Sequence, residues 1–283
     1  ESRMTSAREN GIRLIREMAA AESRHDFDGM YAGYGPTLTY FLNGAVLASG
    51  ETAAMREAER RTTPSTFGNN DRVIQWIDAT DDRVVYQYAV HFDHIGEVFG
   101  FPPTGNRIEA HGVGIAEHDG TRILSVRLYA DQGAMNRQLS GKVRAPGPVS
   151  AAPSGPPVPE AEQARYEAVG EQLLRAVYEA ENERDVEKQL ACYADPLIDH
   201  FAGRANPMPL QVGRQLLPGW WASLPGLHRD IEEVIPLGGR AALRWHLTAQ
   251  PADAEPVSQH GCSVIEHDGE RITKFWAYYP DLA

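Results

Sequence analysis

Apolar positions recur at helical spacing near the start of the chain, where Ile12, Ile15, Met18 and Ala19 form one stripe. A matching stripe opens the second half at Tyr166, Val169, Leu173 and Val177. Short helical pieces are predicted after each stripe, at Asp26–Tyr31 and Val186–Tyr193, and again at Gly50–Arg61 and Gly213–Leu224. The pattern then changes to period two. Strands are predicted at Arg72–Ile77, Val84–His94, Ile108–Glu117 and Arg122–Ala130. Their counterparts are Arg229–Pro236, Ala241–Ala249, Ser258–Glu266 and Arg271–Tyr279. Asp-Gly lies between the last two strands of each half, a strong hairpin signal. Helices followed by an antiparallel sheet indicate an α+β fold with helices covering one sheet face.

The two halves repeat each other. His111–Ile123 reads HGVGIAEHDGTRI and His260–Ile272 reads HGCSVIEHDGERI, with eight of thirteen positions identical. Between them, residues 145–159 read APGPVSAAPSGPPVP, a composition that favours an extended spacer over a packed core. The organisation expected is therefore one domain at 1–144, a linker at 145–159 and a second domain at 160–283.

Charge and composition narrow the partners. The 283 residues carry a net charge of −12 and are 42% hydrophobic. Residues 1–144 hold 16 basic and 19 acidic groups, and residues 145–283 hold 11 and 20, so most of the excess acidity is in the second half. No basic cluster suggests nucleic acid and no apolar run is long enough to span a membrane. Cys192 and Cys262 make no disulfide framework and have no metal-ligand spacing. The polar start ESRMTSARENG is not a secretory leader, and a cytoplasmic setting is expected.

One segment is more specific. His94–Arg107 reads HIGEVFGFPPTGNR, followed by Asp119, Gly120 and Ile123 and by RLYAD ending at Asp131. This resembles the SnoaL-like polyketide (ester) cyclase family of the nuclear transport factor 2-like superfamily. Gly96, Phe99, Gly100, Pro102, Pro103, Thr104 and Gly105 fill the family pattern. The second half matches only in LHRDIEEV, the Arg240 strand and the last hairpin, and it lacks the PPTG segment. The resemblance implies two tandem cone-shaped α+β barrels, each a curved sheet around a pocket covered by helices. It implies a small hydrophobic substrate, acid–base catalysis and no cofactor. It also implies pairing through sheet faces, either as an intramolecular pseudo-dimer or as a homodimer. The first domain is then expected to be active and the second to be a degenerate support. Alternatives within the superfamily are an epoxide hydrolase, a dehydratase or a non-catalytic binder of small molecules.

The candidate residues follow. Asp131 matches the family's general acid/base, which needs a carboxylate desolvated towards working pH. The competing reading is a capping aspartate. Ser125, Arg127, Tyr129 and Asp131 share one strand face by the period-two rule. Arg127 either binds a substrate anion or pairs with Asp131. Tyr86, Tyr88 and His94 share a face of another strand, and His94 either relays a proton or orders the PPTG loop. His111 recurs as His260, which favours a structural role without excluding contact with a ligand. Phe101 and Tyr31 are candidate ligand contacts. In the second half, Pro280 replaces Asp131, and His246, His260, Trp276 and Tyr278 are left to line any pocket there. His118 and His267, in the hairpin turns, are expected to be solvated. His91, Asp93 and His94 cannot share one ion, because alternation turns His94 to the opposite face, so no metal is expected.

Overall fold

Ser6 and Glu9 close a capping box at the start of α1 (Ala7–Glu22), and Ile15, Met18 and Ala19 of its apolar stripe are buried. The computed structural model describes residues 6–145, 157–201, 203–251 and 255–280. Its first unit continues with α2 (Phe27–Tyr31), β1 (Tyr34–Leu42), β2 (Ala45–Glu51), α3 (Thr52–Thr66), β3 (Phe67–Ala79) and β4 (Arg83–His94). It ends with β5 (Arg107–His118), β6 (Ile123–Ala130) and α4 (Gln132–Leu139). The second unit holds α5 (Gln163–Glu183), α6 (Val186–Leu190), β7 (Tyr193–Phe201), β8 (Arg204–Met208) and α7 (Leu210–Ser223). Its last four strands are β9 (His228–Leu237), β10 (Arg240–Ala249), β11 (Val257–His267) and β12 (Ile272–Tyr278). Contacts divide the chain at Ala151/Ala152. Residues 146–156 of the expected linker lie outside the described residues. No helix among the described residues is long and apolar enough to cross a membrane.

Each unit is one six-stranded sheet with the same order, β2-β1-β6-β5-β4-β3 and β8-β7-β12-β11-β10-β9. The expectation of an antiparallel sheet needs correction. β1 runs parallel to β6, and β7 runs parallel to β12, so both sheets are mixed. The cause is a hairpin inserted between the first helices and the third, β1–β2 and β7–β8, which the pattern did not reveal. β2 is exposed along nearly its whole length, so no alternation marks it. The remaining strands fall where period two puts them, to within a few residues at their ends.

In the first unit one sheet face meets the helices. Leu14, Ile15 and Met18 of α1 and Phe27, Met30 and Tyr31 of α2 pack with Tyr34, Leu38, Val84, Tyr86, Tyr88, Ala116 and Val126. Register fixes the neighbours. Tyr86 stands opposite Gly114, and Tyr88 opposite Gly112. A Cβ on Gly114 would lie 2.1 Å from Tyr86 Cζ, so only glycine leaves room for the ring. Trp245 lies over Gly261 in the same way in the second unit, with 2.2 Å from an added Cβ to Cζ2.

The hairpin histidines are buried, contrary to expectation. His118 is 2% exposed and His267 4%. Each lies against the opening helix at a glycine, Gly11 and Gly170, and each Nδ1 accepts the N–H two residues on, of Gly120 and Gly269. Their recurrence therefore reflects how the hairpin docks on the helix.

Candidate functional site

In both units the last turn of the opening helix delivers a glutamate to an arginine of the edge strand on the covered face. In the first, Arg72 of β3 donates through Nε and Nη2 to Glu22 of α1, the latter at 3.1 Å. Its guanidinium lies 4.5 Å over the Tyr88 ring. In the second, Arg229 of β9 donates through Nε to Glu181 of α5 at 2.6 Å. Its guanidinium lies 4.0 Å over Trp245 and 4.9 Å over Tyr178. Glu181 is 5% exposed and Arg229 8%. Desolvation works against the Arg229 charge, but Glu181 and Tyr178 outweigh it and hold its pKa above the ordinary value.

What surrounds the two pairs differs. In the first unit tyrosines occupy the interior. The Tyr34 and Tyr40 hydroxyls hydrogen-bond to each other, and Tyr31 donates to Glu59 of α3 at 2.5 Å. Burial raises the Glu59 pKa, against the Tyr31 hydrogen bond. Beside this cluster an open cleft of about 510 Å³ is lined by Tyr31, Tyr34, Thr52, Arg56 and Arg122 among others.

In the second unit a smaller space remains inside the fold, a cavity of about 140 Å³. Its buried walls include Tyr178, Glu181, Gln189, Tyr193, Arg229, Trp245 and Leu247, with half-buried Trp220 and Tyr279 also lining it. Trp245 is held by its Nε1 donating to Ser263 Oγ at 3.1 Å. Gln189 Nε2 reaches the Tyr193 hydroxyl at 3.4 Å. Gln189 Oε1 is buried with no hydrogen-bond partner among the described residues. A buried acceptor left unsatisfied is costly, so a guest that carries a donor gains by meeting it.

β7 adds a carboxylate to the same sheet face. Asp199 pairs in register with Phe275, another wall residue, and neighbouring partners on paired strands point the same way. Burial alone raises its pKa to about 6. The next residue, His200, points to the other face and stacks on Trp276 at 4.3 Å. Burial, followed by Lys274 and Arg240, lowers its pKa to about 4. The two shifts act oppositely on stability. The contribution of Asp199 is present below about 4 and lost as pH rises through 6. That of His200 is present above 6.5 and lost as pH falls through about 4. Asp199→Asn is therefore expected to steepen the loss of stability between pH 6.5 and 4, because His200 is then unopposed. Urea midpoints at both ends of that window measure it, and an unchanged slope would contradict the assignment.

The structure gathers Tyr31, Tyr86 and Tyr88 into one buried cluster and separates the other candidates. Arg127 and Tyr129 lie on the opposite sheet face. Gly114 faces Leu128 across the β5–β6 ladder, so Leu128 shares the side of Tyr86 while Arg127 does not. Arg127 instead lies 3.8 Å over the Phe41 ring. His111 is also on the far face, with Nε2 2.7 Å from Glu109 Oε1, while His91 Nε2 is 3.4 Å from the other carboxylate oxygen. Phe101 packs with Phe92, Val98 and Ile108 at the far end of the sheet. His94 is fully buried, with Nδ1 3.1 Å from Thr104 Oγ1 of the PPTG loop.

Asp131 caps α4, its Oδ1 accepting the Ala134 N–H at 2.9 Å. It is not close to His94. Its N–H donates to His111 O, His111 pairs with Ala89, and His94 lies five residues further along β4. At about 3.3 Å per residue that is roughly 16 Å. As a cap, Asp131→Ala is expected to cost about 1 kcal/mol of stability and Asp131→Asn much less. Thermal melts of the two variants measure this, and equal losses would contradict the capping role.

In the second unit His246, His260, Trp276 and Tyr278 are not cavity walls. His260 pairs with Glu232 at 2.9 Å and stacks on His246 at 4.5 Å. Sequence reasoning missed Glu22, Glu59, Arg72, Glu181, Gln189, Asp199 and Arg229. A signal existed for the pairs: Glu22 and the α2 cap Asp26 recur as Glu181 and the α6 cap Asp185, 159 positions on.

Residues 174–275 match the family model of the SnoaL-like domain. That stretch, in the second half of the chain, is similar to the SnoaL-like domain. Solved structures to which the chain is similar include AclR from Streptomyces galilaeus, 24% identical over 46% of this chain and 95% of that one, with a TM-score of 0.39. A chain from Jannaschia sp. CCS1 named for SnoaL-like polyketide cyclases is 14% identical over 50% of this chain and 98% of its own, with a TM-score of 0.43. An LEH-like epoxide hydrolase of M. tuberculosis is 22% identical over 47% of this chain and 90% of its own, with a TM-score of 0.39. No curated protein matches the chain.

Proposed function

We propose that the SnoaL-like domain at 174–275 is the working half of a cofactor-independent enzyme that moves protons on a small, mostly apolar, oxygen-bearing molecule. The reaction class is cyclisation, isomerisation or dehydration next to a carbonyl. The observation that carries this reading is the cavity itself, with aromatic walls, the buried Glu181–Arg229 pair and the unsatisfied Gln189 Oε1. Volume decides the substrate's size. A cavity of about 150 Å³ admits one benzene ring. At about 140 Å³ this chamber takes one ring and no fused polycycle.

The buried groups have distinct roles in such a chamber. Arg229 is fixed over two aromatic faces and gives a directional positive charge for a developing oxyanion. Glu181 keeps that guanidinium in place. Gln189 Oε1 would receive a hydroxyl or amine of the substrate. The test is a size series followed by saturation-transfer NMR. Cyclohexanone and phenol are expected to bind, and Ala277→Phe, which puts a ring into the chamber wall, is expected to abolish binding. Binding of anthraquinones in preference to single rings would overturn the reading.

Hydrolysis of an epoxide is the second reading, and one observation favours it. In the first unit Glu59 feels the charges of both Glu22 and Arg72, so two acids stand around one arginine. Hydration of cyclohexene oxide that is lost in Arg72→Met but kept in Arg229→Met would select it.

A further inference from the structure

We propose that the open cleft of the first unit binds a small organic carboxylate, whose charge is met by Arg56, Arg122 and the start of α3. The second unit shows what this cleft lacks. The start of β1 recurs 159 positions on in β7: Tyr34, which pairs with Ile123, becomes Tyr193, which pairs with Ile272. Two residues further, Pro36 has Asp195 as its counterpart. Asp195 Oδ1 accepts the N–H of Leu210, the first residue of α7, at 3.2 Å. A carboxylate therefore sits at the positive end of that helix dipole. Arg214, the fifth residue of α7, adds a cation. Glu187 of α6 holds it through two hydrogen bonds, and it also feels the Asp195 charge.

In the first unit the helix and the arginine recur without the carboxylate. Arg56 is the fifth residue of α3, and its Nη1 pairs with Asp28 of α2 at 3.2 Å. Asp28 is the second residue of α2, as Glu187 is of α6. Arg60 shares the same Asp28 oxygen at 2.8 Å. Arg56 Nε is buried with no hydrogen-bond partner among the described residues. Glu51, the N-cap residue of α3, makes no side-chain cap, and proline at 36 has no side-chain acceptor to supply one. The place of the missing acid is open: Pro36, Thr52 and Arg56 line the cleft, with Tyr31 and Tyr34. Arg122 lines it too. Its Nη1 donates to Tyr34 O at 3.0 Å, and among the described residues no carboxylate pairs with its guanidinium.

The groups on the walls select the guest. A planar carboxylate suits guanidinium forks and backbone N–H groups together, as Asp195 shows in the other unit. Glu51 also lines the cleft and opposes an anion, so a single charge is favoured over phosphate. The tyrosine and proline walls give the rest of the molecule an apolar bed, so the carboxylate is one that carries a hydrophobic body.

Benzoate is the probe, titrated into the full chain by calorimetry at low salt. The wild type is expected to bind it, and to bind phosphate and benzylamine at least ~10-fold more weakly. Pro36→Asp rebuilds the acid of the second unit. It is expected to melt higher than Pro36→Ala, because it caps α3, and to lower benzoate affinity at least ~10-fold. Pro36→Ala, which adds no charge, is expected to stay within about threefold of the wild type. Arg122→Met is expected to lose about 10-fold, and Glu51→Gln to bind more tightly. No benzoate binding by the wild type would overturn the site. So would undiminished binding in Pro36→Asp and Arg122→Met, or phosphate bound as tightly as benzoate. Every variant lies in the first unit, so these outcomes leave the chamber of the second standing.

Discussion

Arg229→Ala is expected to destabilise the second unit by about 3–5 kcal/mol. The reason is what remains. Glu181 is 5% exposed and would keep a buried charge with its cation gone. The guanidinium also fills the space between Trp245 and Tyr178, so its removal leaves a void beside the chamber. Urea unfolding followed by tryptophan fluorescence measures it, since Trp220, Trp221, Trp245 and Trp276 all lie in this unit. The double variant Glu181→Met, Arg229→Leu is expected to regain much of the loss, because no charge then stays buried. A loss below about 1 kcal/mol in Arg229→Ala would mean that water reaches the pair.

Gly261→Ala is the second large effect, and it acts on the chamber directly. The added Cβ would lie 2.2 Å from Trp245 Cζ2 and 2.3 Å from Cη2, closer than atoms can approach. Trp245 is 1% exposed and tied to Ser263, so the ring has to leave its place. Overpacking of this kind costs about 1–3 kcal/mol. The ring also lines the cavity, so its displacement is expected to abolish binding of single-ring ligands. Trp245→Leu in the same chain removes the clash and is expected to restore stability in part. Calorimetry of the single and double variants measures both effects. A Gly261→Ala chain that melts and binds as the wild type would contradict the packing described.

Much of the fold was legible in the residues. The α+β class, the repeat and the four strands at the end of each unit follow from period two and the paired Asp-Gly turns. The edge hairpins were not legible because β2 has scarcely any buried residue to set its alternation. The face of the sheet was the harder matter. Period two separates Arg127 and Tyr129 from Val126 and Leu128 without saying which set meets the helices. Cross-strand register decides it, through Tyr86 opposite Gly114 and Gly114 opposite Leu128, and pairing over such distances is not written in either strand alone.

The chamber was less legible still. The PPTG segment and Asp131 drew attention to the first half, but the segment's His94 hydrogen-bonds to Thr104 of its own loop and Asp131 caps a helix. A cavity exists where side chains from several elements stop short of one another. Here Asp199 stands for Tyr40 and Gln189 takes the place of Met30, substitutions that look unremarkable in a strand and a short helix. The buried glutamate–arginine pairs join a helix end to an edge strand some 50 residues on, a separation that only the folded backbone closes.

Anomalous scattering from bromobenzene diffused into crystals of the full chain tests the chamber most directly. One bromine peak is expected in the second unit, between Trp245, Tyr193 and Phe275, and none in the Gly261→Ala chain. A peak only in the first unit's cleft, beside Tyr31 and Tyr34, would contradict the placement of the working site in the second unit, and no peak in either unit would contradict the chamber.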